Sequence, residues 1–462
     1  MNDNELKTQE TWLSATQSVC PECLQRIPAQ RVRRGERVIL KKCCPEHGEA
    51  EVCIWHGQPD YQEWINLQPP TSPSASAPGT EAGCPFDCGL CPKHRQQTCC
   101  VLLEVTKCCN LRCPVCFASA SADSNEDPKL DVIEGWYRML MQSGGPYNIQ
   151  LSGGEPTLRD DLPEIISLGK ELGFTFFQVN TNGLRLASDA SYVARLKAAG
   201  LNCVFLQFDG LDDQVYAKLR GQALLERKKQ VIEACARHEL GVVLVVTLKP
   251  GVNDAQIGAI LHFAVENMPV VRGVHFQPIS YFGRYPKEPQ EKDRITIPQL
   301  LREIEKQTAG RMQAAHFRPP GGEHAHCSFH GDFMLLPDGE LKPLLQEGGA
   351  CCSAKAPLET AKRSRQFVAR QWSAAQPAKA ACEKEQTRLA AGNLDSLDEF
   401  LARLNTYKLA VSGMAFQDAW TLDLERLQQC FIHVVAPDGR LVPFCAYNLT
   451  DRHGRALHRR NG

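Results

Sequence analysis

From about residue 101 to residue 280, short apolar runs alternate with amphipathic stretches of helical length. The runs are VLLEV (101–105), YNIQLS (147–152), FTFFQVN (174–180), NCVFLQF (202–208), VVLVVTL (242–248) and GVHFQP (273–278). They are short and rich in β-branched and aromatic residues, as strands are. Between them lie stretches such as DLPEIISLGKELG, DASYVARLKAAG and LLERKKQVIEACARHE, which read as amphipathic helices. Strands alternating with helices predict parallel βαβ units. Six units predict an α/β fold, a partial (β/α)6 barrel with its chemistry at the C-terminal ends of the strands.

The pattern changes outside this block. Residues 1–68 predict a small ribbon-like metal-binding domain, its cysteines within 18–57. PPTSPSASAPGT opens a Pro- and Ser-rich linker over 69–83. Residues 84–100 carry a second cysteine group, 101–285 the barrel, and 286–462 a cysteine-bearing α+β extension. Within that extension, residues 355–410 are rich in Ala, Lys, Arg and Gln and predict helices. CFIHVVAPDGRLVPFCAYN (430–448) predicts a β-hairpin turning at Pro-Asp-Gly-Arg. The basic tail DRHGRALHRRNG is expected to fray.

The 462 residues carry 52 basic and 53 acidic side chains, a net charge of −1. That balance gives no footprint for nucleic acid or for an anionic membrane. The opening MNDNELKTQETW is polar and shows no signal peptide, and the longest apolar run, LGVVLVV (240–246), is too short to span a bilayer. A cytoplasmic location is expected, with a peripheral membrane contact left open. In a reducing compartment, 22 cysteines argue for metals or catalysis rather than a disulfide framework. Cys203 and Cys235 stand alone in apolar contexts and read as core, and Cys382 as incidental.

The densest cysteine stretch is EVTKCCNLRCPVCFASA, directly after the first barrel strand. Without Cys108 its spacing is Cys109-x3-Cys113-x2-Cys116. Thiolates select iron–sulfur clusters and zinc. A saturated structural site needs four ligands, and the loop offers three. Later strand ends add polar groups: Ser152, Gly153, Gly154 and Glu155 of SGGEP, Asn182 of NTNG, Gln207 and Asp209 of QFDG, then Thr247 and Gln277. One polar residue at a strand end is usually a helix cap. Several in register with a three-cysteine loop point to a bound ligand.

This combination resembles the radical S-adenosylmethionine (SAM) superfamily. By that resemblance Cys109, Cys113 and Cys116 hold a 4Fe–4S cluster whose open iron chelates SAM, and reductive cleavage of SAM gives a 5′-deoxyadenosyl radical. Val115 stands where many members carry an aromatic residue. CPFDCGLCPKHRQQTC, LSGGEPTLRDDL, LQFDGLDDQVYAKLRG and the hairpin are similar to a narrower group. It contains archaeal tetraether lipid synthase and dihydropterin methyltransferases. That likeness implies carbon–carbon bond formation or methylation at an unactivated carbon. It also implies a small-molecule, pterin-like or lipid-like substrate and a reductant such as flavodoxin or ferredoxin. An iron–sulfur electron carrier without SAM chemistry would account for clusters but not for SGGEP or the βα units.

Three further cysteine sets remain. Cys84-x3-Cys88-x2-Cys91-x7-Cys99 offers four ligands for an auxiliary 4Fe–4S cluster or a zinc knuckle, with Cys100 able to replace Cys99. Cys20 and Cys23 of CPEC, with Cys44 and His47 of CPEH, form two knuckles for one zinc or iron ion. There Cys43 and Cys53 are alternatives to Cys44 and His47. Late in the chain, Cys327, Cys430 and Cys445, with Cys352 of the 351/352 pair, could hold a second auxiliary cluster. The histidines of HAHCSFH lie beside that set.

Overall fold

The computed structural model describes residues 10–65, 72–73, 81–122, 127–344, 365–366, 368–374 and 397–459, the side chains of 397–399 excepted. The 69–83 linker falls largely outside them, as do most of the helices expected over 355–410, and Cys351, Cys352 and Cys382.

The described residues form two sheets. The first is an antiparallel meander of β1 (Glu10–Val19), β2 (Arg26–Arg34), β3 (Arg37–Cys44) and β4 (Gly48–His56). The β2–β3 turn has only Gly35 and Glu36 between the strands, and Gly35 takes φ +62°, as a tight hairpin with glycine first requires. The other two turns are the CPEC and CPEH knuckles.

The second sheet contains the six expected parallel strands as neighbours: β5 (Cys100–Thr106), β6 (Asn148–Gly153), β7 (Phe177–Thr181), β8 (Cys203–Gln207), β9 (Gly241–Leu248) and β10 (Val271–Pro278). It then continues beyond them at both edges. β11 (Ser328–Leu335), β12 (Leu341–Pro343) and β13 (Lys408–Met414) extend the β10 side, with β13 parallel to β10. β14 (Ile432–Val435) and β15 (Leu441–Pro443) form the predicted hairpin and extend the β5 side, with β14 parallel to β5. The sheet thus has 11 strands.

Alternation along the strands sorts their two faces. Ile149, Leu151, Phe177, Val179, Leu244 and Val246 are fully buried in the main core. The core also takes the apolar faces of helices such as Leu130–Gln142, Leu162–Glu171 and Leu225–Arg237. The intervening residues face a lumen.

The tail departs from its expected fraying. Asp451–Arg459 is docked against the CPEC knuckle, the Cys84 loop and the end of β5. The Arg452 amide donates to Pro21 O at 2.9 Å and its side chain pairs with Glu22. His458 Nε2 meets Pro85 O at 2.7 Å. Arg459 donates to Glu104 at 2.6 and 3.0 Å and to Asn448 Oδ1 at 2.6 Å. Backbone polar groups and a half-buried carboxylate give this basic segment fixed partners, which composition alone does not reveal.

Candidate active site and metal centres

A cavity of about 1,610 Å³ fills the lumen. Cys109, Cys113 and Cys116 line it on the loop after β5. Two glycines let β6 approach this loop. A Cβ on Gly153 would lie 2.1 Å from Thr106 O, and one on Gly154 would lie 2.1 Å from Cys108 O. Gly154 N–H donates to Thr106 O and Glu155 N–H to Cys108 O, both at 2.8 Å. From the other side, Arg284 exchanges backbone hydrogen bonds with Cys116 at 2.9 Å. Its guanidinium donates to Cys113 O and Ala120 O at 3.0 Å.

Burial pushes the Cys109 thiol up to about 12, with Glu155 and the neighbouring cysteines adding to it. Burial also raises Cys113, against the pull of the Arg220 guanidinium. Arg220 is the buried cation of the site. It pairs with Asp209 at 2.7 and 2.8 Å and donates to Thr247 Oγ1 at 2.8 Å. With its carbonyl facing Arg220, Gln207 accepts from the same guanidinium at 3.0 Å.

Most of the expected strand-end residues line the cavity: Ser152, Gly153, Gly154, Glu155, Asn182, Gln207, Thr247 and Gln277. Asp209 is fully buried behind them, and Arg220 stands in its place on the wall. Glu155 already has protein donors: Thr157 N and Oγ1, Thr181 Oγ1 and Asn182 N, at 2.5–3.1 Å. Its carboxylate ties the β6 and β7 ends together, while burial raises its pKa. Asn182 Nδ2 donates to Asn110 Oδ1 at 2.7 Å, joining the β7 end to the cysteine loop. Lys228 Nζ donates to Asn182 O at 2.5 Å, and burial lowers its pKa to about 8. Arg220, Lys228 and Arg284 were missed in the sequence. Arg220 had a signal, since KLRG follows QFDG closely.

The donor set suits an open cluster. Three sulfurs converge on the C-terminal end of β5. Cys99 and Cys100 line the same cavity but sit at the start of that strand, about 20 Å away at 3.3 Å per residue.

Cys20, Cys23, Cys44 and His47 place their ligand atoms within 4.8 Å of one another. Cys44 Sγ lies 3.4 Å from His47 Nδ1 and 4.0 Å from Cys23 Sγ. A tetrahedral ion with bonds of about 2.3 Å spans such distances. No other His, Cys, Asp and Glu group among the described residues is drawn that close, and a cube of four irons needs wider spacing. The ribbon is fixed to the rest of the chain by Arg31 on Asp423 at 2.6 Å and by Lys42, which donates to Ala419 O and Trp420 O at 2.7 and 2.9 Å.

In the second group, the Cys84–Cys88 hydrogen bond lowers the Cys84 thiol and, with burial, raises that of Cys88, and Cys88 O accepts from Arg440 at 3.0 Å. Cys99 stands on the cavity wall, where burial pushes its thiol up to about 12, against the pull of Arg365 and with Glu323 adding to it. In the late set, Cys327, Cys430 and Cys445 lie within one another's electrostatic reach, and Arg426 hydrogen-bonds towards Cys327. The expected fourth member, Cys352, lies outside the described residues. In HAHCSFH, His326 stacks on Tyr61 at 3.8 Å and meets Tyr61 O at 2.8 Å, so this ring is engaged in packing.

Residues 103–264 match the radical SAM superfamily, and residues 12–56 match the HMPTM N-terminal zinc ribbon domain. The chain is 35% identical to 7,8-dihydro-6-hydroxymethylpterin dimethyltransferase of Methanocaldococcus jannaschii, over 95% of this chain and 94% of the relative. A probable GTP 3′,8-cyclase of Methanothermobacter marburgensis is 28% identical over 58% of this chain and 90% of its own. A crystal structure of Streptococcus suis SuiB bound to precursor peptide SuiA aligns with 47% of this chain and 46% of its own, at 18% identity and a TM-score of 0.37. The chain belongs to the radical SAM superfamily, in the family of the Methanocaldococcus dimethyltransferase. It is an enzyme whose chemistry is reductive cleavage of SAM at a 4Fe–4S cluster, and its ribbon carries a metal site. No helix among the described residues is long and apolar enough to cross a membrane.

Proposed function

We propose that the enzyme methylates a reduced pterin at carbon. The observation that carries this reading is the lining of the lumen. Gln150, Gln178 and Asn180 face the cavity that also holds the cysteine triad. An alkyl chain would leave those carboxamides without partners. A pterin edge, which alternates N–H and carbonyl groups, would pair with them. The name of the Methanocaldococcus relative includes such a substrate.

Cys109, Cys113 and Cys116 hold the cluster in this reading. Ser152, Gly153, Gly154, Thr247 and Gln277 bind the cofactor, and Glu155 and Asn182 fix the shape of its cradle. When bound, the cluster and SAM supply a 5′-deoxyadenosyl radical. Arg220 offsets the negative charge gathered beside Cys113, and the apolar walls keep water out. Cys20, Cys23, Cys44 and His47 hold one zinc or iron ion. Cys84, Cys88 and Cys91, with Cys99 as fourth ligand, hold one auxiliary cluster. Cys327, Cys430 and Cys445, with Cys352, hold another. The electron comes from a flavodoxin- or ferredoxin-type reductant.

Anaerobic turnover with reductant, SAM, cell extract and 7,8-dihydro-6-hydroxymethylpterin tests this reading. A product heavier by one or two methylene units, formed with 5′-deoxyadenosine, is expected. Deoxyadenosine formation with the pterin unchanged, and a coupled alkyl product from lipid instead, would overturn it.

A further inference from the structure

Two amide oxygens in the lumen have no protein partner. Gln150 on β6 and Gln178 on β7 are neighbours in register, and Asn180 follows two positions along the same face of β7. All three line the cavity. Gln178 Oε1 and Asn180 Oδ1 are closed to water and accept no hydrogen bond within the protein. Gln178 is 2% exposed. Leaving such an oxygen unsatisfied is costly, so its partner is expected from outside the chain. Two on one strand face point to N–H donors brought by a ligand.

The neighbouring wall offers a flat surface. Phe205 sits beside Asn180 in register. The Phe205 and Trp372 rings lie 4.7 Å apart, tilted by 57°, and both line the cavity. A planar heterocycle can lie against them. The carboxylate on that side, Asp332, is paired with Lys408 at 3.2 Å, so the surface presented is close to neutral.

We propose that Gln178 and Asn180 form the recognition edge for the substrate, accepting from two N–H groups of a 2-amino-4-oxo pyrimidine ring whose face rests on Phe205 and Trp372. This rests on the pterin reading above. It adds which residues read the ring and which atoms of the ring they read. A site built to accept from N–H groups rejects a ring that presents oxygen there, because two buried acceptors then face each other.

The test is a pair of anaerobic fluorescence titrations of the iron-loaded enzyme. One uses 6-hydroxymethylpterin. The other uses 6-hydroxymethyllumazine, in which oxygen replaces the 2-amino group. The wild type is expected to prefer the pterin by at least about 10-fold. Gln178→Leu and Asn180→Leu are expected to shrink that preference to about 3-fold or less, by weakening pterin binding alone. The cluster's optical spectrum reports that each variant has folded. If a leucine variant loses iron, Gln178→Ala and Asn180→Ala carry the same comparison. Full preference in both variants overturns the recognition edge and leaves the pterin reading intact. Failure of the wild type to bind either ring, in its 7,8-dihydro form as well, overturns the reading beneath it.

Discussion

Arg284 and two glycines hold the cysteine loop as much as the cysteines do. The Arg284 guanidinium reaches two loop carbonyls at 3.0 Å, and its backbone closes a bridge with Cys116. In Arg284→Ala those buried carbonyls lose their donors, at about 1–3 kcal/mol each. The variant is expected to fold but to retain clearly less iron at the Cys109 loop, while the ribbon metal is unchanged. Metal analysis together with EPR of the reduced protein checks this. An unchanged cluster signal would contradict it. The glycines of SGGEP were legible in the sequence as a place where backbone can approach closely, although the motif alone reads equally as a turn with a helix cap. Glu155 was legible as a site residue, but its neighbours were not. Its carboxylate meets donors from the β7 end, which is distant in sequence. Asp209 was drawn to the cofactor by its position after β8, yet its oxygens are occupied by Arg220 and Thr247 N. Position along a strand is written in the pattern; which layer a side chain reaches depends on what packs beside it.

At the scale of elements, the six barrel strands were legible because their apolar runs are bounded by helices of the right length. β11, β12 and β13 were not. They are separated from their neighbours by segments with no barrel pattern, and β13 reaches β10 across more than a hundred residues. The hairpin was legible from its turn, but its pairing with β5 was not. The tail is the largest departure, since its anchors lie far apart in sequence, at Pro21, at Pro85 and on β5 at Glu104. Replacing Arg459 with Ala takes its cation from the half-buried Glu104 and leaves only the Tyr447 hydroxyl as donor, a change expected to cost about 1 kcal/mol. Hydrogen exchange is expected to rise across Glu104–Ala118 in this variant and to stay unchanged in the ribbon strands β1–β4. Equal protection in both regions would show that the tail does not brace the loop.

At the scale of the molecule, the cavity is closed by parts of the chain that lie before and after the barrel. Its interior also stores pH sensitivity. Burial lowers His275 to about 4 from the ordinary 6.5, and it lowers His94 to about 4. Both are therefore neutral when folded and take up protons on unfolding. A depressed histidine pKa leaves stability intact above the unfolded value, and stability falls as pH drops below about 6.5. From pH 7.5 to 5.5, His275 alone accounts for about 1 kcal/mol of that loss. Urea denaturation of His275→Gln should show a correspondingly shallower decline than the parent chain. Parallel declines would contradict the assignment.

The central claim is that the cluster on Cys109, Cys113 and Cys116 keeps one iron free of protein ligands so that SAM can occupy it. EPR and electron–nuclear double resonance of the reduced enzyme, with SAM labelled in its amino and carboxylate groups, tests this directly. The account predicts a shift of the cluster signal on adding SAM, hyperfine coupling to the labels, and loss of both in Cys113→Ala. A cluster signal indifferent to SAM, with no coupling to either label, would contradict it.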